Sequence, residues 1–364
     1  MGRPTRALID RQALKANLET LKSYNGTAFF CPMVKANAYG HGLDIVAPIV
    51  QEVGADMAGV ALVEEGVRLR QLGFKSPILV FAPLQSGDRT AVEELNLTPV
   101  VGRFEDLELL AGGSRSTRIP VHLKFNTGMN RLGFDNEDVP TLQQELARRS
   151  YVQVVGACTH LSHGSDALQT DGPTAKQISR FIEMSKPWNC LKHVHKSATL
   201  MTCELNKIHS TFGARPGISM YGLPYDHHRL GRGLRPALQW ISELIRLHEV
   251  PAGESASYAS QWIAKRRSLV GVVPVGYGDG YPRTLSNRSF MGFRGHKVPV
   301  IGRVCMDYVM LDLTDAVGEG GAKPGEAVEI LGPLISATDL ADWAETIEYE
   351  IVTAISARVP REAI

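Results

Sequence analysis

One lysine stands where an amine could react. The segment Val34-Lys35-Ala36-Asn37-Ala38-Tyr39-Gly40-His41-Gly42 follows a short apolar run, Thr27 to Val34, that predicts a buried strand. Lys35 then falls at the strand's carboxyl end, and small residues with two glycines are expected to leave open space beside it. In parallel α/β folds the carboxyl ends of the strands are where chemistry is done. Desolvation there can strip an ammonium of its proton and leave an amine nucleophile. A second cluster, Lys124 to Gly133 (KFNTGMNRLG), ends a strand, turns through Gly128 and presents Arg131. A guanidinium fork grips a carboxylate in two places, so this is a candidate carboxylate site.

Other residues say less when taken alone. His160 ends the run Gly156-Ala157-Cys158-Thr159-His160, and a strand-end histidine is ordinarily structural. Arg215-Pro216-Gly217 reads as a turn, and oriented backbone N–H groups suit an anion. Tyr258 follows a Pro/Gly/Glu turn. A phenol normally titrates near ~10, so it serves as a general acid or base only if its proton is made transferable. Gly276 to Tyr281 (GYGDGY) is a glycine-rich turn without the βαβ context of a dinucleotide fingerprint.

Taken in order, these segments resemble the alanine racemases. VKANAYGHG is similar to that family's pyridoxal-phosphate attachment segment. The resemblance implies that Lys35 forms the Schiff base with pyridoxal 5'-phosphate and that Tyr39 contacts its phosphate. KFNTGMNRLG resembles K-x-D/N-T-G-M-x-R-L-G, which implies that Arg131 binds the substrate carboxylate and the cofactor phenolate, oriented by a carbamate on Lys124. Thr159-His160-Leu161 and Arg215 to Gly222 (RPGISMYG) match segments in which the histidine bonds an arginine opposite the pyridine nitrogen. An arginine there stays protonated and donates, so the ring is a weaker electron sink than one paired with a carboxylate. The same likeness implies phosphate contacts from Ser197 and from the backbone amides of Gly217 and Ile218. Ser257-Tyr258-Ala259 resembles the signature of the second catalytic base, which reaches the active site of the other subunit. Gly302 to Asp307 (GRVCMD) matches G-R-x-x-M-D, implying a carboxylate contact from the Met306 amide and support from Asp307. Tyr277, Arg283 and Arg303 would line the access corridor. One departure stands near the end: Ser356-Ala357-Arg358-Val359-Pro360 carries Ala357 where several racemases carry a tyrosine that holds the phosphate and narrows the inner gate. The implied function is racemisation of alanine by two-base proton transfer in a homodimer with shared active sites, supplying D-alanine for bacterial peptidoglycan. Alternatives are a related amino-acid decarboxylase, a racemase of broader specificity including serine, and a non-enzymatic cofactor carrier.

The elements that must position these residues alternate. Strand-like runs at Ala7–Ile9, Met57–Ala61, Pro77–Phe81, Leu97–Val101, Arg118–Lys124 and Val152–Thr159 are interleaved with helical patterns at Leu14–Leu21, Asp44–Val53, Glu64–Leu72 and Leu107–Ala111. Such alternation indicates βαβ units and a parallel sheet. Its repetition to about residue 225 fits an α/β, N-terminal (β/α)8 TIM-type barrel over residues 1–232. A mainly β C-terminal domain over 233–364 follows, with β-like runs at Leu238–Val250, Ser268–Gly276, Lys297–Asp312 and Glu326–Leu331 and one helical stretch near Ala337–Glu345. The boundary falls in the Gly- and Arg-rich stretch Arg229–Pro236.

Composition narrows the partners. The chain has 39 basic and 38 acidic residues, a net charge of +1, which gives no electrostatic footprint for nucleic acid or an anionic membrane. No apolar run approaches the ~20 residues of a membrane span, and the N-terminus lacks a secretory pattern. The five cysteines are scattered without zinc spacing. A reduced, cytoplasmic protein with a small-molecule substrate and no resident metal is expected.

Overall fold

The computed structural model describes residues 2–26, 28–112, 118–164, 171–202, 211–224, 231, 233–318 and 321–364. It divides into two compact units, one of residues 14–38 and 46–234, the other of residues 1–13, 39–45 and 235–364.

Strand β1 (Arg6–Ile9) belongs to the second of these, and the helix Arg11–Asn25 that follows Asp10 belongs to the first from residue 14 on. Asp10 begins that helix, its Oδ1 accepting from Ala13 N at 2.8 Å. Among the described residues of the first unit, seven parallel strands run in sequence order: β2 (Ala58–Val60), β3 (Ile78–Val80), β4 (Leu97–Val101), β5 (Ile119–Lys124), β6 (Val152–Cys158), β7 (Leu191–Lys196) and β8 (Gly213–Arg215). Helices Leu43–Glu52, Val63–Gln71, Phe104–Leu109, Val139–Arg148 and Pro173–Ser185 are interspersed along the chain. The position of an eighth strand is taken by Phe30–Met33. This segment makes only single parallel bridges, Phe30 to Ala214 and Met33 to Gly59, and so spans the gap between β8 and β2. Thr27 lies outside the described residues. Pro32 explains why the expected strand is reduced to bridges, since it has no N–H to give a ladder. The barrel interior is filled by a buried cluster of Cys31, Met57, Leu79, Val100 and Cys158, with Phe29 and Phe81 against it.

The other unit is built on a nine-stranded sheet. Its strands in chain order are β1, β9 (Leu238–Glu243), β10 (Arg246–Val250), then, after a hairpin of β11 (Ser255–Ala256) and β12 (Trp262–Ile263), β13 (Ser268–Val273), β14 (Phe290–Phe293), β15 (His296–Ile301), β16 (Val309–Asp312), β17 (Ala327–Leu331) and β18 (Arg361–Ala363). The spatial order is β10-β13-β16-β15-β14-β17-β9-β1-β18. β1 pairs with β9 antiparallel and with β18 parallel, which is why the first thirteen residues group with the C-terminal half rather than with the barrel. The run Lys297–Asp312 is not one strand. Gly302, at φ +69°, breaks it into β15 and β16 and leaves Cys305 to Tyr308 as a tight turn. The helix Ala337–Ala344 is capped by Ser336, and a second helix, Glu348–Ala354, follows. Among the described residues no helix is long and apolar enough to cross a membrane.

Candidate active site

Lys35 opens an unusual turn. Ala36, Asn37, Ala38 and Tyr39 all have φ between +51° and +54°, a left-handed helical turn made without glycine. Each such residue costs ~1–2 kcal/mol. The Glu65 carboxylate offsets part of that cost, accepting from Ala36 N at 2.6 Å, Ala61 N at 2.8 Å and Leu62 N at 3.1 Å. A hydrogen bond to a charged group contributes ~1.5–3 kcal/mol, so the one to Ala36 N offsets part of the strain, while the other two fasten the same carboxylate to the start of the helix Val63–Gln71. The glycines do not leave open space as expected. A Cβ at Gly40 would meet the Val352 carbonyl oxygen at 2.0 Å, so Gly40 is a close backbone approach at φ +80°.

Burial lowers the Lys35 ammonium from its ordinary value, Arg131 lowers it further, and Glu65 opposes them. Lys124, at the end of β5, is lowered chiefly by burial, with Arg131, Arg215 and Lys35 adding to the shift. His160 is pushed down to about 3 by burial and then by Arg215, Lys196, Arg131 and Lys124. These mutual influences define one electrostatic neighbourhood of Lys35, Lys124, Arg131 and Arg215, with a neutral imidazole at its side. A concentration of cations of this kind favours bound anions.

Arg215, at the end of β8, is buried. Its Nη1 donates to His193 Nδ1 at 2.7 Å and to the His193 carbonyl at 2.6 Å, and its Nη2 donates to the Thr159 carbonyl at 2.7 Å. The histidine that bonds it is thus His193, while the charge of Arg215 acts through space on His160. Burial lowers the Arg215 guanidinium, which nonetheless remains protonated. Next to it in sequence lies a knot of hydroxyls and amides. Ser197 Oγ accepts from Gly217 N at 2.9 Å, Ser219 N at 3.4 Å and Ser219 Oγ at 2.9 Å, just where the short 3-10 turn Ile218–Tyr221 begins. All of these groups are buried.

Pyridoxal phosphate fits this chemistry. The cluster offers a lysine amine lowered by burial, donor groups at Ser197, Gly217 and Ser219 for a phosphate, and a donor-only arginine for a ring nitrogen. The barrel thiols Cys31, pushed up to about 12, and Cys158, also raised, are held protonated by burial and compete with none of this.

In the other unit, Tyr258 sits at the tip of the β11–β12 hairpin and is 67% exposed. Its turn is strained: Ser257, Ala259 and Ser260 have φ of 68°, 57° and 49°. Ser257 Oγ donates to the Arg303 carbonyl at 2.7 Å. A Cβ at Gly302 would lie 2.5 Å from the Ser257 Cβ, so GRVCMD is the bed on which the Tyr258 turn rests. Met306 is 52% exposed, and its carbonyl accepts from Gly278 N at 2.9 Å. Asp307 pairs with Arg358 at 2.6 Å. Tyr277 and Arg283 are exposed and Arg303 half-buried. Ala357 is exposed, and Tyr39 is buried with its ring 6.1 Å from that of Tyr349.

Sequence reasoning missed three groups. Glu65, in Val63-Glu64-Glu65-Gly66, carries no motif that marks it. Asp279 is fully buried and bridged by Arg3 at 2.5 Å, with Gly276 N also donating to it at 3.0 Å. Only its place in GYGDGY hinted at it. His193 precedes Ser197 by one helical turn in number, but lies on a strand.

Two family models match, "Alanine racemase, N-terminal domain" over residues 9–224 and "Alanine racemase, C-terminal domain" over residues 237–363. The chain is 38% identical to an alanine racemase of Symbiobacterium thermophilum, over 99% of this chain and 97% of that one. It is 35% identical to one of Halothermothrix orenii, with the same coverage of 99% and 97%. A solved alanine racemase of Bartonella henselae with covalently bound pyridoxal phosphate superposes with a TM-score of 0.89 at 25% identity, covering 100% of both chains.

Proposed function

This chain belongs to the alanine racemase family, and from that premise we propose which of its residues do the work. The activity is interconversion of L- and D-alanine with pyridoxal 5'-phosphate as cofactor. When bound, the cofactor supplies an electron sink that makes the substrate's Cα–H acidic. Everything else falls to the chain's own side chains.

Lys35 carries the cofactor and then, as a free amine, moves a proton at one face of Cα. The depressed Lys35 ammonium beside Arg131 is the observation that carries this assignment, because a base must be unprotonated to act. Arg131 and the Met306 amide would bind the substrate carboxylate and so hold Cα–H in reach of the two bases. Lys124, its ammonium lowered, is the site of the carbamate that orients Arg131. Tyr39, Ser197 and the Gly217 and Ile218 amides hold the phosphate. Arg215 faces the ring nitrogen with His160 nearby. Tyr258 moves a proton at the opposite face and comes from a second copy of the chain, consistent with its exposure at a hairpin tip of its own unit. The barrel unit of residues 14–38 and 46–234 supplies most of the cofactor's contacts, and the unit that includes residues 235–364 supplies the second base. Tyr277, Arg283 and Arg303 line the access corridor, and Asp307 supports it. The protein works in the cytoplasm as a homodimer, supplying D-alanine for peptidoglycan.

Initial rates of L-to-D conversion for alanine, serine and lysine, with the cofactor present, test the assignment. Alanine is expected to be fastest, with serine measurable because Ala357 leaves out the bulk of a tyrosine. Carbon dioxide release from a diamino acid without racemisation would contradict it.

A further inference from the structure

The Arg215 clamp continues one residue further than the proposed mechanism uses. His193 Nε2 lies 2.7 Å from His122 Nδ1, and both rings are buried. The proton positions along this chain follow from valence. A guanidinium only donates, so His193 Nδ1 must accept. Burial and Arg215 hold the His193 imidazole well below its ordinary value, so it is neutral and carries its single proton on Nε2. That proton is donated to His122 Nδ1. His122, pushed down to about 4 by burial and by Arg215, is also neutral.

The backbone is shaped for this contact. In β5–β6 the register skips Val155, so that His122 stands opposite Gly156. In β7–β8 it skips Val194, so that His193 stands opposite Gly213. Bulges of this kind re-aim side chains. A Cβ on Gly156 would lie 2.4 Å from His122 Nδ1, so only glycine admits the ring there. The Phe29 ring packs against both imidazoles, 6.1 Å from His122 and 5.2 Å from His193. On its far side His122 lines a cavity of about 540 Å³ with Thr98, Pro120 and Val155, at the amino ends of the strands.

We propose that His122 is a positioning residue for racemisation: by accepting the Nε2 proton of His193 it fixes that ring as the acceptor that holds Arg215 in place. Without His122, the His193 proton can move to Nδ1, where it would face an Arg215 N–H, donor against donor. The proposal rests on Arg215 facing the cofactor's ring nitrogen. Because the His193 and Thr159 carbonyls also hold Arg215, the effect is a partial loss and not an abolition.

The test reads histidine ring nitrogens by 15N NMR in the apoprotein, with His193 assigned through a His193→Gln variant, and kcat and KM in the holoenzyme. Wild-type His193 is expected to carry its proton on Nε2. In His122→Leu the tautomers are expected to mix, with kcat down about tenfold and KM for alanine within about threefold, as for a lost acceptor to a buried donor. His122→Asn, which keeps an oxygen acceptor near the Nδ1 position, is expected to restore both. Wild-type His193 protonated on Nδ1 would overturn the proposal, and this needs no variant to fold. So would a folded His122→Leu with an unchanged tautomer. A changed tautomer with unchanged kcat would instead overturn the placement of Arg215 at the ring, and the positioning role with it.

Discussion

Lys35→Ala is expected to lose racemisation by at least ~10⁴-fold, because it removes both the covalent anchor and one of the two proton-transfer groups. The variant should also lose the visible absorbance of the lysine-bound cofactor. The fold should survive. Lys35 is held in an energetically unfavourable place, its ammonium lowered first by burial and then by Arg131. Removing a group whose folded-state pKa is depressed takes away a cost to stability. Below the folded pKa that cost is present in full, and it fades as pH rises toward the unfolded value. Thermal unfolding of the apoprotein should therefore show Lys35→Ala equal to or more stable than the parent near neutral pH. An unchanged visible spectrum in this variant would sink the assignment of Lys35.

Tyr258→Phe has the second-largest expected effect, a loss of ~10²–10⁴-fold in turnover, the usual contribution of a positioned general acid or base. Unlike Lys35→Ala, it should leave the cofactor absorbance intact, because Tyr258 stands on the hairpin tip of the C-terminal half and makes no part of the barrel cluster. The family's usual division gives the D-isomer's proton to the lysine and the L-isomer's to the tyrosine. The variant should then still exchange the α-proton of D-alanine with deuterated solvent while losing exchange from L-alanine. Equal loss of both exchanges would mean that Tyr258 shapes the site and moves no proton. Phenylalanine keeps the ring, so the hairpin, anchored by Ser257 on Arg303, should hold its shape.

Much of this arrangement was legible in the sequence because it lies in contiguous segments. Lys35, Arg131, Arg215 and Tyr258 are each embedded in a run of specific residues, and the alternation of β-like and helical runs foretold the barrel. What escaped depends on backbone geometry or on long-range pairing. Asn37 tolerates a left-handed turn, but nothing in Ala36 or Ala38 signals one, since alanine prefers the right-handed helix. The turn is supported by Glu65, far along the chain, which accepts from Ala36 N. The histidine bonded to Arg215 is His193 because a bulge in β7 re-aims it, and a bulge leaves no composition signature. The expected first barrel strand shrank to two bridges on account of Pro32, and the run Lys297–Asp312 broke at Gly302. Periodicity cannot find either break, although the identity of each residue explains it afterwards. Likewise, Arg3 gave no hint that it would meet the buried Asp279 across the length of the chain.

The central claim is that Lys35 of one chain works with Tyr258 of another. Mixing Lys35→Ala and Tyr258→Phe proteins under conditions of demonstrated subunit exchange tests it directly. In a C2 dimer that reassorts at random, half of the dimers are hybrids with one intact site, so roughly a quarter of the parental activity should return. Activity remaining at the level of the separate variants, with hybrids shown to form, would place both bases on one chain and contradict the account.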